Sequence, residues 1–276
     1  MDTARIEEEK RRVVERFGPW TAHNIWLGGD VYTIGKEVAG DEIKLRRILR
    51  SVADIAGRPL DALRILDLAC LEGLYAVEFA RHGAQVVGIE GRLPNIEKAR
   101  FAGDVLGLPN LEFIQDDVRK LDRAKYGEFD VVLCLGILYH LDVPDVFSFL
   151  ARMAEVCRGF VVVDTHIAAT AERSCVYEGH AYRGRTFAEH DPASTPDDRA
   201  ADLWSSLDNV VSFWPTRTSL LNALARAGFT SVYECAMPPE ADKPADRITL
   251  VAVKGGTQKL LCAPLLGAQP IDDLPE

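Results

Sequence analysis

The amino-acid sequence predicts an α/β protein built on a seven-stranded, mostly parallel sheet with helices on both faces and an antiparallel last strand. From about residue 63 onward, short runs rich in β-branched residues alternate with helical patterns, which indicates parallel strands joined by right-handed crossovers. The run Phe129–Leu135 is almost wholly apolar, as expected of a strand that is covered on both faces. Only the proline-rich, charged stretch Met237–Asp246 separates the last two strand-like runs, which predicts a surface hairpin and an antiparallel pair.

Each element follows from its local pattern. The predicted strands are Leu63–Ala69, Gln85–Glu90, Leu111–Gln115, Phe129–Leu135, Phe160–Asp164, Thr230–Cys235 and Arg247–Val253. The predicted helices of this region are Tyr75–His82, Pro94–Ala102, Pro144–Cys157 and Thr218–Ala227. Pro144 suits the first turn of its helix, and Gly228 stands where a C-terminal glycine ends the last one.

The same patterns divide the chain into segments. Residues 1–60 begin with a charged helix over Ile6–Arg16 and are expected to form a helical lid or substrate segment ahead of the sheet. Residues 61–254 hold the sheet domain, interrupted at 165–217 by a connection far longer than the usual 2–6 residues. Long insertions at the carboxyl ends of parallel strands usually form lids or binding walls. Residues 255–276 show no period and are expected to be loosely ordered.

Composition and charge limit the class of protein and of partner. The chain of 276 residues is 47% hydrophobic and 27% charged, which is typical of one or two globular domains. Its formal net charge of −10 disfavours nucleic acid as a partner unless a local basic patch opposes the overall field. The six cysteines include no C-x-x-C pair and are expected to be reduced. Without a secretory signal or an apolar run of ~18 residues, we expect a soluble, cytoplasmic protein.

The most informative segment is Asp67-Leu68-Ala69-Cys70-Leu71-Glu72-Gly73, which follows the first strand of the sheet and opens a helix. A tight turn of this kind lets backbone N–H groups and the helix N-terminus approach a ligand closely. Glu90 ends the second strand, where a carboxylate can accept hydrogen bonds from ribose hydroxyls. Asp116 and Asp117 close the third strand, so the acidic groups share the carboxyl edge of the sheet.

On these residues the chain resembles the class I S-adenosylmethionine-dependent methyltransferases, which have a Rossmann-like fold. The resemblance implies S-adenosyl-L-methionine as the cofactor, Asp67 as the anchor of its methionine end, and Glu90 as the ribose ligand. It further implies a close-approach turn at Ala69, Cys70 and Gly73. The remaining implied cofactor contacts are Asp117 and Val118 at the adenine, and Cys134 and Leu135, which open a segment similar to the family's fourth motif, beside the transferable methyl group.

The turn departs from the family pattern D-x-G-x-G-x-G, because Ala69 and Leu71 replace its first two glycines. We therefore expect an altered loop or weaker cofactor binding. A dinucleotide-dependent dehydrogenase is the structural competitor, but its pyrophosphate needs the glycine that Leu71 replaces. The acidic character of the site also suits a cationic ligand better than a pyrophosphate.

A narrower resemblance concerns three further segments. Gly18-Pro19-Trp20, Leu138-Tyr139-His140 and the stretch 209–215 are similar in layout to the tRNA wobble-uridine carboxymethyltransferases, a resemblance that implies a carboxylated relative of S-adenosylmethionine. This chain has a shorter N-terminal part and shows no obvious basic stripe for tRNA. We therefore expect a relative that acts on a small molecule.

Candidate catalytic and substrate-binding residues follow the fourth and fifth strands and lie in the segments outside the sheet. A hydroxyl acceptor usually needs a general base, and the candidates are His140 and His166. The candidate substrate-binding residues are Trp20, Tyr139, Tyr182, Arg183 and Trp214. No metal is expected, because Asp164 and His166 would be two ligands without a third.

Three functional hypotheses result. The first is a small-molecule methyltransferase, most simply one acting on oxygen. The second is an RNA-modifying transferase on the same scaffold, which would require a positive surface around the cleft. The third is a non-catalytic cofactor-binding protein with a degenerate glycine loop. The sequence leaves a homodimer open.

Overall fold

The computed structural model describes residues 2–38, 41–240, 243–256, 258–266 and 273–275. The strands in chain order are β1 (Trp26–Gly28), β2 (Val31–Tyr32), β3 (Arg64–Leu68), β4 (Gln85–Glu90), β5 (Leu111–Gln115), β6 (Phe129–Leu135), β7 (Cys157–His166), β8 (Arg173–Tyr177), β9 (His180–Ala188), β10 (Val211–Pro215), β11 (Ser231–Glu234) and β12 (Arg247–Val253). The helices are α1 (Thr3–Phe17), α2 (Asp41–Ile55), α3 (Leu74–Arg81), α4 (Leu93–Leu106), α5 (Arg123–Tyr126), α6 (Asp145–Val156), α7 (Pro196–Ala201) and α8 (Arg217–Arg226).

The main sheet has seven strands in the order β11-β12-β7-β6-β3-β4-β5. Strands β7, β6, β3, β4 and β5 are parallel, whereas β12 is antiparallel to both of its neighbours. The predicted fold class, the seven strands and the antiparallel last strand are confirmed. The apolar pattern of β6 has the expected cause, because helices cover both faces of the sheet and bury most of its side chains.

Two hydrophobic cores lie on opposite faces of the sheet. One core packs α6 and α8 against the sheet around fully buried Phe149 and Leu224. The other packs α3, α4 and the N-terminal segment around Phe79 and Ile96. Because α1 and β1 both contact α4, the N-terminal segment is part of the second core.

The helix α2 was not predicted from the sequence. Its amphipathic pattern places Ile48 and Val52, both fully buried, on one face, while most of its other residues are charged. The many charged residues make the apolar face of this helix hard to recognise in the sequence, and the helix is stabilised by tertiary packing of that face.

The insertion after the fifth parallel strand also contains structure that the sequence analysis missed. Strands β8, β9 and β10 form a separate antiparallel sheet in the order β10-β9-β8. The segment between β9 and β10 returns over the carboxyl edge of the main sheet, where residues 203–209 line a cleft.

The predicted loose tail is described only in part. Residues 255, 256, 258–266 and 273–275 contain no regular helix or strand, and positions 257, 267–272 and 276 lie outside the described residues, as do 1, 39 and 40 of the N-terminal segment. Over the described ranges, no helix combines the length and apolar character needed to cross a membrane. All six cysteines are described, and all are free thiols.

Candidate active site

A cleft lies at the carboxyl edge of the main sheet. Its lining crosses the sheet from Asp117 after β5, through Glu90 of β4, Asp67 of β3 and Leu135 of β6, to Arg247 at the start of β12. This is the position where ligands bind in open α/β sheets. Among the predicted cofactor residues, Ala69, Cys70 and Val118 also line the cleft.

The turn between β3 and α3 has positive φ values at Ala69 and Leu71, the two positions where the family pattern has its first two glycines. Ala69, Leu71 and Gly73 have φ values of 53°, 50° and 87°. The L-residues at 69 and 71 therefore occupy left-handed conformations that normally favour glycine. Backbone strain at these two positions accompanies the departure from the family pattern, and an altered loop or weaker cofactor binding stays a prediction.

The strain at position 69 predicts the sign of a stability change. Left-handed backbone costs an L-residue about 1–2 kcal/mol, whereas glycine costs about 0.5–1 kcal/mol in unfolded-chain entropy. We expect Ala69→Gly to leave the free energy of unfolding unchanged or raise it by up to about 1 kcal/mol in urea titrations. Ala53→Gly, on an exposed position inside α2, should lower the free energy of unfolding by about 1 kcal/mol. An equal loss of unfolding free energy in both variants would contradict backbone strain at Ala69.

Asp67 is the most unusual group in the cleft. The residue is 1% exposed, and its Oδ2 accepts no hydrogen bond from the described residues. The pKa of this carboxyl is raised to about 7, chiefly by burial. A backbone hydrogen bond at Ala76 lowers the pKa, the nearby Glu90 carboxylate raises it, and the Lys44 ammonium lowers it. A buried carboxylate oxygen without a donor, facing a cleft, is suited to a cationic or hydrogen-bond-donating ligand.

Glu90 shapes the turn as well as lining the cleft. Its Oε2 accepts from the Leu71 N–H at 3.0 Å and its Oε1 accepts from the Arg92 N–H at 2.9 Å. Burial raises the pKa of the Glu90 carboxyl, and these two backbone hydrogen bonds oppose the rise. The residue therefore fixes Leu71 in its left-handed conformation while it presents a carboxylate to the cleft.

Glu72 attaches the N-terminal segment to the turn, a role that the sequence analysis missed. Its fully buried carboxylate accepts from the backbone N–H groups of Thr21 at 2.8 Å, Ala22 at 3.2 Å and His23 at 3.1 Å. It also forms an ion pair of 3.2 Å with Lys98 of α4, whose side chain is fully buried too. In the sequence, Glu72 is only a single acidic residue in an apolar turn. That pattern does not indicate that its carboxylate bonds backbone groups about fifty residues away.

His23 lies where this segment meets α3. Its Nδ1 accepts from the Leu74 N–H at 3.1 Å, at the helix end where Gly73 offers no capping side chain. Through this contact the N-terminal segment caps α3 and lines one wall of the cleft. The role of residues 1–60 as a lid or substrate segment stays a prediction.

His140 lines the cleft and is bonded to a carboxylate. Its Nδ1 lies 2.8 Å from Oε2 of Glu189, which follows β9 in the insertion. Because a carboxylate only accepts, the Nδ1 carries the proton and Nε2 is left as the acceptor of the neutral ring. Burial alone would raise the pKa of Glu189, but the hydrogen bonds from His140, Ser212 and Ser206 lower it. Sequence reasoning found the histidine and missed its partner.

The segment 199–209, here called the lid segment, contributes residues 203–209 to the lining of the cleft. The Arg92 guanidinium donates to the carbonyl oxygens of Asp202 at 2.7 Å, Ser205 at 3.0 Å and Ser206 at 2.9 Å. These bonds attach the lid segment to the end of β4.

A second attachment runs through Arg119. Its guanidinium bonds both oxygens of Asp208 in the lid segment, at 3.0 and 2.8 Å, and also bonds Asp117. Burial would raise the pKa of Asp117, but the hydrogen bonds from Arg119 hold it below its usual value. The predicted adenine-binding residue is therefore part of an ion network that fixes the lid segment.

His166 lies behind the cleft wall. Its Nδ1 is 2.9 Å from Asp246, and its ring packs against Tyr139 at 4.9 Å and stacks on Trp214 at 4.8 Å. Burial lowers the pKa of His166, against the hydrogen bond to Asp246. The cleft lining includes Tyr139 but neither His166 nor Trp214.

The other predicted site residues lie outside the cleft lining. Gly73 ends the turn as the N-cap of α3, and Cys134 is buried in β6, where desolvation raises the pKa of its thiol. Trp20 packs on Phe101 with ring centroids 5.7 Å apart, and Tyr182 stacks on Phe147 in the opposite core. Arg183 is exposed on β9. Their positions give no support to direct ligand contact.

The described residues contain no group of side chains suited to bind a metal ion. No three His, Cys, Asp or Glu side chains there are grouped as a metal site. Asp164, weighed as a ligand with His166, is bonded by Arg247 at 2.6 Å and by the Thr249 hydroxyl at 2.6 Å.

Comparison with known families identifies the central part of the chain. Residues 65–159 match the model of a methyltransferase domain family. The chain has the class I methyltransferase fold. The N-terminal domain of EvdMO1, crystallised in the presence of SAH and D-fucose, superposes with a TM-score of 0.69 and 28% identity over 92% of this chain and 97% of that one.

Other relatives agree with this methyltransferase domain. A ubiquinone biosynthesis O-methyltransferase of Rhodopseudomonas palustris strain HaA2 is 35% identical over 44% of this chain and 45% of its own, and one from Azorhizobium caulinodans is 40% identical over 39% and 42%. The chain thus spans about half the length of the curated relatives it matches. Magnesium protoporphyrin IX methyltransferase of Synechocystis PCC 6803, with bound SAM, shares the fold at a TM-score of 0.51 and 17% identity over 78% of this chain and 81% of that one.

Proposed function

We propose that this chain is an S-adenosylmethionine-dependent O-methyltransferase that acts on a hydroxyl group of a small molecule. The observation that carries the proposal is the pairing, in one cleft, of a buried carboxylate oxygen without a donor at Asp67 and a histidine–carboxylate pair at His140. The methyltransferase domain and the O-methyltransferase names of its relatives support the reaction class. The narrower wobble-uridine branch stays a prediction.

The residues present fit the cofactor. The acidic groups Asp67 and Glu90 stand on neighbouring strands, and the Oδ2 of Asp67 awaits a donor such as an α-amino group. Asp117 and Val118 lie at the far end of the lining, beneath the lid segment. S-adenosylmethionine supplies an electrophilic methyl group when bound, and the task left to this chain is to hold the acceptor in line and remove its proton.

His140 is suited to remove that proton. Its Nε2 is the accepting nitrogen of the neutral ring, and the Glu189 carboxylate stabilises the imidazolium that forms when Nε2 takes the hydroxyl proton. Tyr139, whose ring centroid is 4.3 Å from that of His140, forms the adjoining wall of the cleft. A base beside the fourth parallel strand agrees with an acceptor bound between β6 and the insertion.

For the acceptor, we propose a monosaccharide or a polyol of similar size. The support comes from the EvdMO1 domain, which was crystallised in the presence of SAH and D-fucose and aligns over most of this chain. D-fucose is therefore the first acceptor to test, and a ubiquinone precursor, suggested by the name of the ubiquinone biosynthesis relatives, is the second.

Calorimetric titration with S-adenosylhomocysteine tests the cofactor site. The charged form of Asp67 should bind the ligand's ammonium group, and this form becomes populated as pH rises through about 7. Because the charged fraction falls from about one half at pH 7 to about one tenth at pH 6, binding should weaken about fivefold between them. Asp67→Asn should bind weakly at both pH values. Absence of binding in the native chain would overturn the cofactor assignment and favour a non-catalytic protein.

A further inference from the structure

The carboxylate of Glu189 joins three parts of the molecule that lie far apart in sequence. Its Oε2 bonds the His140 ring at 2.8 Å and accepts from the Ser206 N–H of the lid segment at 2.9 Å. Its Oε1 accepts from the Ser212 hydroxyl of β10 at 2.7 Å. The side chain is 1% exposed, so each oxygen has its hydrogen bonds within the protein.

The lid segment also holds the backbone of the histidine. Asn209 donates from Nδ2 to the carbonyl oxygen of His140 at 3.0 Å, and the Ser206 hydroxyl bonds the Asn209 carbonyl. The same segment is attached to the cofactor half of the cleft through Arg92 and through the Arg119–Asp208 ion pair. The position of the lid segment and the orientation of the His140 ring therefore depend on each other.

We propose that Glu189 is a positioning residue through which the closed lid segment fixes the tautomer and orientation of His140. The inference rests on the proposed function, since it concerns the base of that reaction. When the lid segment is seated, Glu189 is held by Ser206 and Ser212 and keeps the Nδ1 proton of His140 directed away from the acceptor. A displaced lid segment removes one of the donors that hold the carboxylate and leaves the base misaligned.

Glu189→Gln tests the charge with little change of shape. The amide oxygen can accept from His140 and Ser206, while the amide NH₂ can donate to the Ser212 hydroxyl, so all three contacts can persist. Loss of the negative charge should lower kcat by about 10-fold or more, but by no more than the roughly 10²–10⁴-fold contribution of the general base itself. The KM for the cofactor should change by less than about threefold.

The pH profile separates positioning from a structural role. A carboxylate beside an imidazole favours the protonated ring, so removing the charge should move the acid limb of the kcat profile to lower pH. Three other titratable groups near His140 and Glu189 are not substituted in this variant. They are Arg92, whose positive charge interacts with Glu189; His190, whose Nε2 bonds the Ser206 carbonyl; and Tyr139, whose ring adjoins that of His140. A kcat loss without a shift of the acid limb would overturn the proposal.

A second variant tests the link to the lid segment. Asp208→Asn weakens the Arg119 attachment without touching Glu189, and we expect kcat to fall severalfold. The double variant should lose little more than Glu189→Gln alone, because both changes act through the same link. Asp197→Asn, an exposed carboxylate on α7, is the matched control and should leave kcat unchanged. Fully additive losses would refute the coupling.

The experiment also distinguishes this proposal from the proposed function. Turnover by the native chain is followed as S-adenosylhomocysteine formed with D-fucose as the probe acceptor, and cofactor binding is followed by calorimetry. Absence of cofactor binding in the native chain would overturn the proposed function and, with it, the role of Glu189. Turnover that depends on His140 but not on the charge at 189 would overturn the positioning role alone.

Discussion

Replacing His140 by glutamine should lower kcat by about 10²–10⁴-fold, the range that a general base contributes. The substitution removes the accepting Nε2 that faces the cleft, while glutamine can still donate to Glu189 and fill the same space. Binding of S-adenosylhomocysteine should stay within about threefold of the native value, because Asp67 and Glu90 are untouched. Single-turnover kinetics with D-fucose and a calorimetric titration measure the two quantities.

His166→Gln is the matched comparison. This second histidine also bonds a carboxylate, Asp246, but lies outside the cleft lining behind Tyr139. We expect its substitution to lower kcat by less than about tenfold. If the two substitutions had equal effects, or if His166→Gln had the larger one, the base would have to be reassigned.

Glu72→Ala should lower the free energy of unfolding by about 3–5 kcal/mol, the cost of breaking a buried ion pair from one side. The substitution leaves the fully buried Lys98 ammonium without its carboxylate and deprives the N–H groups of Thr21, Ala22 and His23 of their acceptor. Urea unfolding measures the change. Limited proteolysis should show cleavage around residues 19–24 under native conditions, since this segment depends on the same carboxylate.

Two further variants give the scale of this effect. Lys98→Met should cost less, because Glu72 keeps its backbone donors when the ammonium is removed. Glu97 is adjacent to Lys98 on α4 and forms a partly exposed ion pair with Arg100. Glu97→Ala breaks this pair and should lower the free energy of unfolding by less than about 0.5 kcal/mol. A loss below about 1 kcal/mol for Glu72→Ala would show that the N-terminal segment is held by its apolar contacts alone.

The acidic lining of the cleft was largely predictable from the sequence, because its carboxylates lie at or near the ends of strands. Asp67, Glu90 and Asp117 each end or follow a strand that is recognisable from its apolar pattern, and parallel strands bring their carboxyl ends to one edge. The glycine pattern was less informative. Ala69 and Leu71 adopt the glycine conformation because surrounding hydrogen bonds, including that from the Leu71 N–H to Glu90, hold them there.

The part of the cleft around His140 was predicted only in outline. The sequence indicated an insertion and two histidines, but it did not distinguish His140 from His166, and it placed aromatic residues at the site that instead pack in the two cores or behind the cleft wall. Trp214 illustrates the reason. Its ring stacks on Phe187 of β9 and on His166 of β7, and its Nε1 donates to the Tyr139 carbonyl. Whether an aromatic residue faces a ligand or a neighbour depends on packing that a composition pattern does not contain.

The sequence by itself predicted the positions of the seven main-sheet strands along the chain, their mostly parallel direction and the position of the acidic edge, because hydrophobic periodicity and strand-end residues are local properties. Tertiary structure alone decided how the segments outside the sheet complete the site. Glu72 meets its backbone partners across about fifty residues, and Glu189 meets His140 across 49. Such buried carboxylates are placed by the burial of distant segments against each other, since a buried charge is stable only where the fold supplies its donors.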